Sequence, residues 1–124
     1  LAIKDKKPFL SFAVQGGDTQ DQNLLQFFLN MVEFEMNVQE AAEAANVNSY
    51  QMYSSFGTHS KEAGRIVVRD DTPPWVIKDL RSKGYNVVTR RLTSGPINAI
   101  WFDHKNGTMW GGSSNFGEDY GIGW

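Results

Sequence analysis

Two consecutive glycines and an aspartate, Gly16-Gly17-Asp18, stand between an apolar run, Phe9-Leu10-Ser11-Phe12-Ala13-Val14, and a segment rich in Leu and Phe. With no Cβ in the way, two successive backbone N–H groups can approach a ligand closely. Just ahead of a helix they also meet the positive end of its dipole, which suits an anion or a developing oxyanion. The same pair serves equally as a tight strand-to-helix turn. Asp18 has two readings as well: N-cap of the following helix, or a side chain that orients the pair or touches substrate.

Other residues with chemical potential carry weaker patterns. His59 and His104 are the only histidines, and neither has His, Asp or Glu at metal-ligand spacing, so both read as surface side chains and no metal is expected. Ser54, Ser55, Ser113 and Ser114 lie in no nucleophile-elbow pattern. Asp70-Asp71 and Glu118-Asp119 are adjacent acids whose side chains face different ways in regular structure, and capping at Pro73 or solvation of the tail accounts for them. Asn106-Gly107-Thr108 matches a glycosylation acceptor, but it falls on a hairpin that needs Asn-Gly for its backbone. The absence of cysteine excludes disulfides and thiolate chemistry within this chain.

The 124 residues suffice for one folding unit, and no internal linker is evident. A formal net charge of −2, with Lys and Arg scattered along the chain, gives no electrostatic reason to bind nucleic acid. No apolar stretch approaches the ~20 residues of a membrane span. Nothing at the start has the layout of a signal peptide. Four Trp, four Tyr and eight Phe argue for a well-packed interior or a broad interface.

The elements that must position the glycine pair follow from local patterns. Leu1-Ala2-Ile3 and Phe9 to Val14 flank Asp5-Lys6-Lys7-Pro8, which predicts a hairpin whose second strand presents Gly16. From Asp18 or Thr19 a helix is predicted to about Met36, apolar over a broad face, with Asn23, Gln26, Asn30 and Glu33 as one narrow polar stripe. Asn37 and Glu40 form a capping pattern ahead of Ala41, Ala42, Ala44 and Ala45. An extended segment is expected over Tyr50 to Phe56, a strand over Arg65 to Arg69, and another over Val87 to Arg91. Thr72-Pro73-Pro74-Trp75 predicts a helix start with a capping residue and a proline in first position, and Gly84 its end. Asn98 to Asp103 should pair with Thr108 to Trp110, and the glycine-rich tail after Gly111 should be irregular. Without regular βαβ spacing, the pattern indicates an α+β fold with mainly antiparallel sheet.

The text around the glycine pair extends the reading. Gly16-Gly17-Asp18-Thr19-Gln20-Asp21-Gln22-Asn23-Leu24-Leu25-Gln26, then Met36-Asn37-Val38-Gln39-Glu40-Ala41, then Gly111-Gly112-Ser113-Ser114-Asn115 through Gly121-Ile122-Gly123-Trp124, occur in order. From Phe9 to Trp124 the chain resembles the C-terminal part of the small subunit of the γ-glutamyltranspeptidases and their acylase relatives, which are N-terminal-nucleophile hydrolases. The resemblance implies half of a four-layer αββα sandwich and an enzyme whose precursor cuts itself. The new N-terminal threonine then attacks a γ-glutamyl amide, its own α-amine taking the hydroxyl proton. It implies that Gly16 and Gly17 supply the oxyanion hole, next to which the Asp18 side chain either orients the pair or touches substrate if it does not cap the helix, and that no cofactor is needed.

Because the chain begins with Leu1, the expectation is a C-terminal fragment that lacks the nucleophile and is inactive alone. Its partners would be the large subunit and the N-terminal part of the small subunit, and family habit suggests a periplasmic or secreted enzyme. Gln15 stands where many members have proline, Ser113-Ser114-Asn115 where many have Asp-Pro-Arg, and Ala45-Asn46-Val47 lacks an expected arginine. These departures bear on the substrate rather than the fold. The alternatives are a non-catalytic binding or assembly module of the same fold and a free-standing interaction domain.

Overall fold

The structure is a computed structural model and describes residues 1–93, 96–116 and 121. In chain order its elements are β1 (Ala2–Lys4), β2 (Lys7–Val14), α1 (Gln20–Val32), α2 (Val38–Glu43), β3 (Val47–Ser49), β4 (Arg65–Arg69), α3 (Pro74–Ser82), β5 (Asn86–Arg90), β6 (Ile97–Asp103) and β7 (Thr108–Ser113). They fall into two compact units. The first comprises Leu1–Gln15, Leu24–Ala44 and Pro96–Trp124, and the second Gly16–Asn23 and Ala45–Gly95.

The first unit holds a four-stranded antiparallel sheet in the order β1-β2-β6-β7. The β1–β2 turn is tighter than the sequence suggests. Asp5 and Lys6 both adopt positive φ (51° and 62°), the mirror-image turn that suits strand twist, so Lys7 and Pro8 already belong to β2. Alternation along β2 and β6 puts Leu10, Ile97 and Ala99 on one face, where Phe27 of α1 and Val38, Ala41 and Ala42 of α2 complete the core. The Phe12 ring lies 5.6 Å from that of Phe27 and 6.0 Å from that of Phe28.

The expected capping box of α2 is present. Asn37 Oδ1 accepts from the N–H groups of Gln39 and Glu40, while Glu40 Oε2 accepts from Asn37 N at 2.9 Å. Gln39 binds strand residue Ser113 at two points, accepting from its N–H at 3.1 Å and donating to its carbonyl at 2.7 Å.

Helix α1 stops at Val32 instead of about Met36. Glu35 turns to φ 55°, and Met36 N donates to Asn30 O, six residues back, at 3.0 Å, which closes the end of the helix. The burial pattern of this helix also differs from expectation. Asn23, assigned to a polar stripe, is 1% exposed, whereas Leu25 is 58% exposed.

The tail expectation is corrected as well: β7 continues through Gly111 and Gly112 to Ser113. The expected irregularity over residues 117–120 and 122–124 lies outside the described residues, as do Glu118 and Asp119. Gly112 permits the close approach of α2, because a Cβ there would lie 2.7 Å from the Val38 carbonyl oxygen and 2.8 Å from Val38 Cγ2. Since backbone is in the way, Gly112→Ala in the full-length protein is expected to cost ~1–3 kcal/mol, read by denaturant unfolding. An unchanged midpoint would show that α2 yields freely.

The second unit holds a three-stranded sheet, β3-β4-β5, antiparallel between β3 and β4 and parallel between β4 and β5. Strand β4 is buried over Ile66-Val67-Val68, as a central strand covered on both faces should be. Helix α3 makes the crossover to β5 and lays Ile77 and Leu80 on Ile66, Val68 and Val87. Pro74 occupies its first turn, but the N-cap position is Pro73, which offers no side-chain acceptor, so the expected side-chain cap is absent. The strand expected over Tyr50 to Phe56 is also displaced: Val47–Ser49 pairs with β4, and a loop follows. Among the described residues β4–β5 is the one parallel pair, and the fold is α+β with mainly antiparallel pairing.

Candidate active site

Strand β2 ends at Val14 and α1 begins at Gln20, leaving the glycine pair in the connection. Gly16 sits at φ 144°, a conformation that L side chains rarely adopt. Its carbonyl accepts from Gln20 Nε2, and the Gly17 carbonyl accepts from Gln20 N at 3.0 Å. The carbonyls are thus engaged by the start of the helix. The N–H groups of Gly16 and Gly17 have no acceptor among the described residues, and both residues are exposed. Two consecutive unpaired donors at the head of a helix can hold an anion or an oxyanion.

Polar side chains around this turn bind the segment after α2, all within the second unit. Asn23 Oδ1 accepts from Asn46 Nδ2 at 2.8 Å. Gln22 Oε1 accepts from Ser49 N at 2.7 Å, and its Nε2 donates to Ser49 O at 3.1 Å. Asp18 Oδ2 accepts from Ser55 N at 2.8 Å. One residue further, the Phe56 ring packs on Gly17 so closely that a Cβ there would lie 2.7 Å from Phe56 Cε2. Sequence reasoning missed this set. Its only local signal was the density of Asp, Gln and Asn at the start of an otherwise apolar helix.

The Asp18 carboxylate is therefore spent on Ser55 and not on capping α1. The Ser55 N–H, then the Ser55 hydroxyl, hold its carboxyl below the ordinary value of 3.8, with the Ser54 hydroxyl and the charge of His59 adding to the effect. A lowered folded-state value means that the contact contributes fully above pH 3.8 and is lost as pH falls through the depressed value. The Ser55 amide resonance should accordingly stay constant from about pH 8 to about pH 5 and move only below the ordinary carboxylate value. Titration near the histidine range would show that His59 controls the contact instead.

The other candidates have structural roles. His59 Nδ1 faces the Ser54 carbonyl at 2.9 Å, and no serine hydroxyl is bonded to either imidazole among the described residues. His104 Nε2 lies against the Pro8 carbonyl at 2.6 Å. Ser114 Oγ accepts from Ile97 N, and Ser113 Oγ donates to Asn98 Oδ1, both at 3.0 Å. Asp71 is paired with Arg69, whose guanidinium lowers its pKa, and it caps nothing at α3. Asp103 accepts from Lys105 N, Asn106 N and Asn106 Nδ2, organising the hairpin in which Gly107 turns to φ 67°. Among the described residues no group of three or more His, Asp or Glu is placed to hold a metal, and no helix is long and apolar enough to cross a membrane.

Comparison with known proteins places the chain in a family. A protein-family model described as gamma-glutamyltranspeptidase matches residues 1–124. The glutathione hydrolase proenzyme of Bacillus subtilis (strain 168) is 30% identical over 124 residues, which cover 98% of this chain and 19% of that protein. The solved structure of LmbA2991HD is 27% identical with a TM-score of 0.90, over 98% of this chain and 22% of that one. A gamma-glutamyltranspeptidase from Pseudomonas nitroreducens, 19% identical, shares the fold with a TM-score of 0.77 over 99% of this chain and 59% of its own. The chain thus spans about a fifth of the length of the curated relative. Matched from its first residue to its last, the chain belongs to the gamma-glutamyltranspeptidase family, within the N-terminal-nucleophile hydrolases.

Proposed function

We propose that the complete protein containing this chain is a γ-glutamyltransferase or hydrolase acting on γ-glutamyl or related acyl amides, in which residues 1–124 serve as one piece of the small subunit. A threonine outside this stretch attacks the amide carbonyl, and its hydroxyl proton passes to the threonine α-amine. The carbonyl oxygen becomes an oxyanion held by the N–H groups of Gly16 and Gly17. Collapse of this intermediate expels the amine, which takes the proton, and leaves an ester. Water or an acceptor amine then resolves that ester. Each correctly aimed donor supplies ~2.7–4 kcal/mol of transition-state stabilisation.

The observation that supports this reading is the pair of consecutive N–H groups, exposed and without acceptors among the described residues, at the head of α1. The chemistry calls on no metal or organic cofactor. The chain by itself supplies the oxyanion site without the nucleophile and is inactive alone, and its partners are the rest of the same precursor and the amide substrate. The test is the intact mass and N-terminal sequence of the native polypeptide that carries this stretch. A start upstream at threonine or serine is the expected result. A native start at Leu1 would remove the nucleophile and overturn the reading.

A further inference from the structure

A Gly-Gly turn is the least constrained dipeptide a chain can offer, yet donors that stabilise a transition state must already point the right way before charge develops. Something outside the pair has to hold it. The loop after β3 is built to do so. Its neck is closed by Tyr50 N to Arg65 O at 3.1 Å and Glu62 N to Tyr50 O at 2.9 Å. Its tip is closed by Ser54 N to Ser60 O at 2.9 Å, with Phe56 N donating to Ser54 Oγ at 3.1 Å and His59 N to Phe56 O at 3.2 Å.

Two successive residues of this tip engage two successive residues of the turn: Ser55 N–H on the Asp18 carboxylate, and the Phe56 ring on Gly17. Phe56 is 65% exposed, so its ring is not placed there by burial in a core. The edge of its ring, set against Gly17, limits how that peptide can rotate. The Asp18 contact ties down the next residue of the turn.

We propose that the Ser54–Ser60 loop is a clamp that fixes the direction of the Gly16 and Gly17 N–H groups, with Asp18 and Phe56 as positioning residues. The inference rests on the oxyanion-hole reading and adds to it what pre-organises the hole. It also assigns Asp18 a role other than substrate contact, since its carboxylate is occupied by the loop.

The experiment compares Phe56→Ala, Asp18→Ala and Asp18→Asn with the parent in the full-length protein. It measures acylation rate, KM and amide hydrogen exchange at Ser55, whose N–H is held by Asp18. Phe56→Ala and Asp18→Ala are expected to speed exchange and slow acylation, each about tenfold, with KM changed less than about twofold. Asp18→Asn keeps an oxygen acceptor for the Ser55 N–H and is expected to recover most of the rate. Faster exchange with undiminished acylation would overturn the clamp, as would unchanged exchange. Asp18→Asn as slow as Asp18→Ala with a raised KM would also overturn it, pointing to a carboxylate contact with substrate. Gly17→Pro separates the two levels. If it leaves acylation intact, the oxyanion reading itself fails; if it slows acylation while Phe56→Ala and Asp18→Ala do not, only the clamp fails.

Discussion

Gly17→Pro in the full-length protein is expected to slow acyl-enzyme formation on the order of a hundredfold or more, because it deletes one of the two donors proposed to meet the oxyanion. Single-turnover acylation is the appropriate readout, since it isolates the step in which the oxyanion forms. Gly17→Ala is the matched control. Gly17 lies outside the positive-φ region, so alanine is compatible with its backbone, and the added Cβ meets only the far edge of the Phe56 ring. Alanine keeps the N–H and displaces the ring. Its expected loss is about tenfold, that of a loosened turn. The further drop from alanine to proline then measures the donor. Equal rates for the two variants would show that the Gly17 N–H does no catalytic work.

The second large effect falls on folding. Phe27 is 1% exposed and packs among Leu10, Val38, Ala41, Ala42, Ile97 and Ala99, with Phe12 beside it. Phe27→Ala removes most of a ring from this core, and both β2 and α2 would have to move to refill the space. The expected loss is ~3–5 kcal/mol, measured as a shift in the denaturant midpoint of the full-length protein. A shift worth less than about 1 kcal/mol would mean that the core collapses around the gap, against the close packing seen here.

Features written in adjacent residues were legible in the sequence. The capping box of Asn37 and Glu40 needs only three residues of spacing, and the β6–β7 hairpin needs only Asn106-Gly107 between two apolar runs. The strand-to-helix position of Gly16 and Gly17 was legible for the same reason. What failed depended on partners remote in sequence. Asn23 is buried because Asn46 reaches it, and Asp18 leaves the helix start because Ser55, 37 residues on, offers an N–H. Nothing around Gly112 reveals that the Val38 backbone passes against it. The missing cap at α3 has a local cause: two prolines in succession put Pro73, with no side-chain acceptor, in the capping position. The family itself was legible because three ordered blocks agree, whereas the clamp on the glycine turn was not, because its two halves come from separate stretches of chain.

The most direct test of the account is the structure of the full-length protein trapped with a tetrahedral-intermediate analogue, such as a γ-phosphonate of the glutamyl group, on its nucleophile. The analogue's oxyanion oxygen is expected at about 2.7–3.1 Å from both the Gly16 and the Gly17 nitrogen, with Phe56 still against Gly17. An oxygen held by other donors, with both glycine N–H groups turned away from it, would contradict the assignment of this pair as the oxyanion hole.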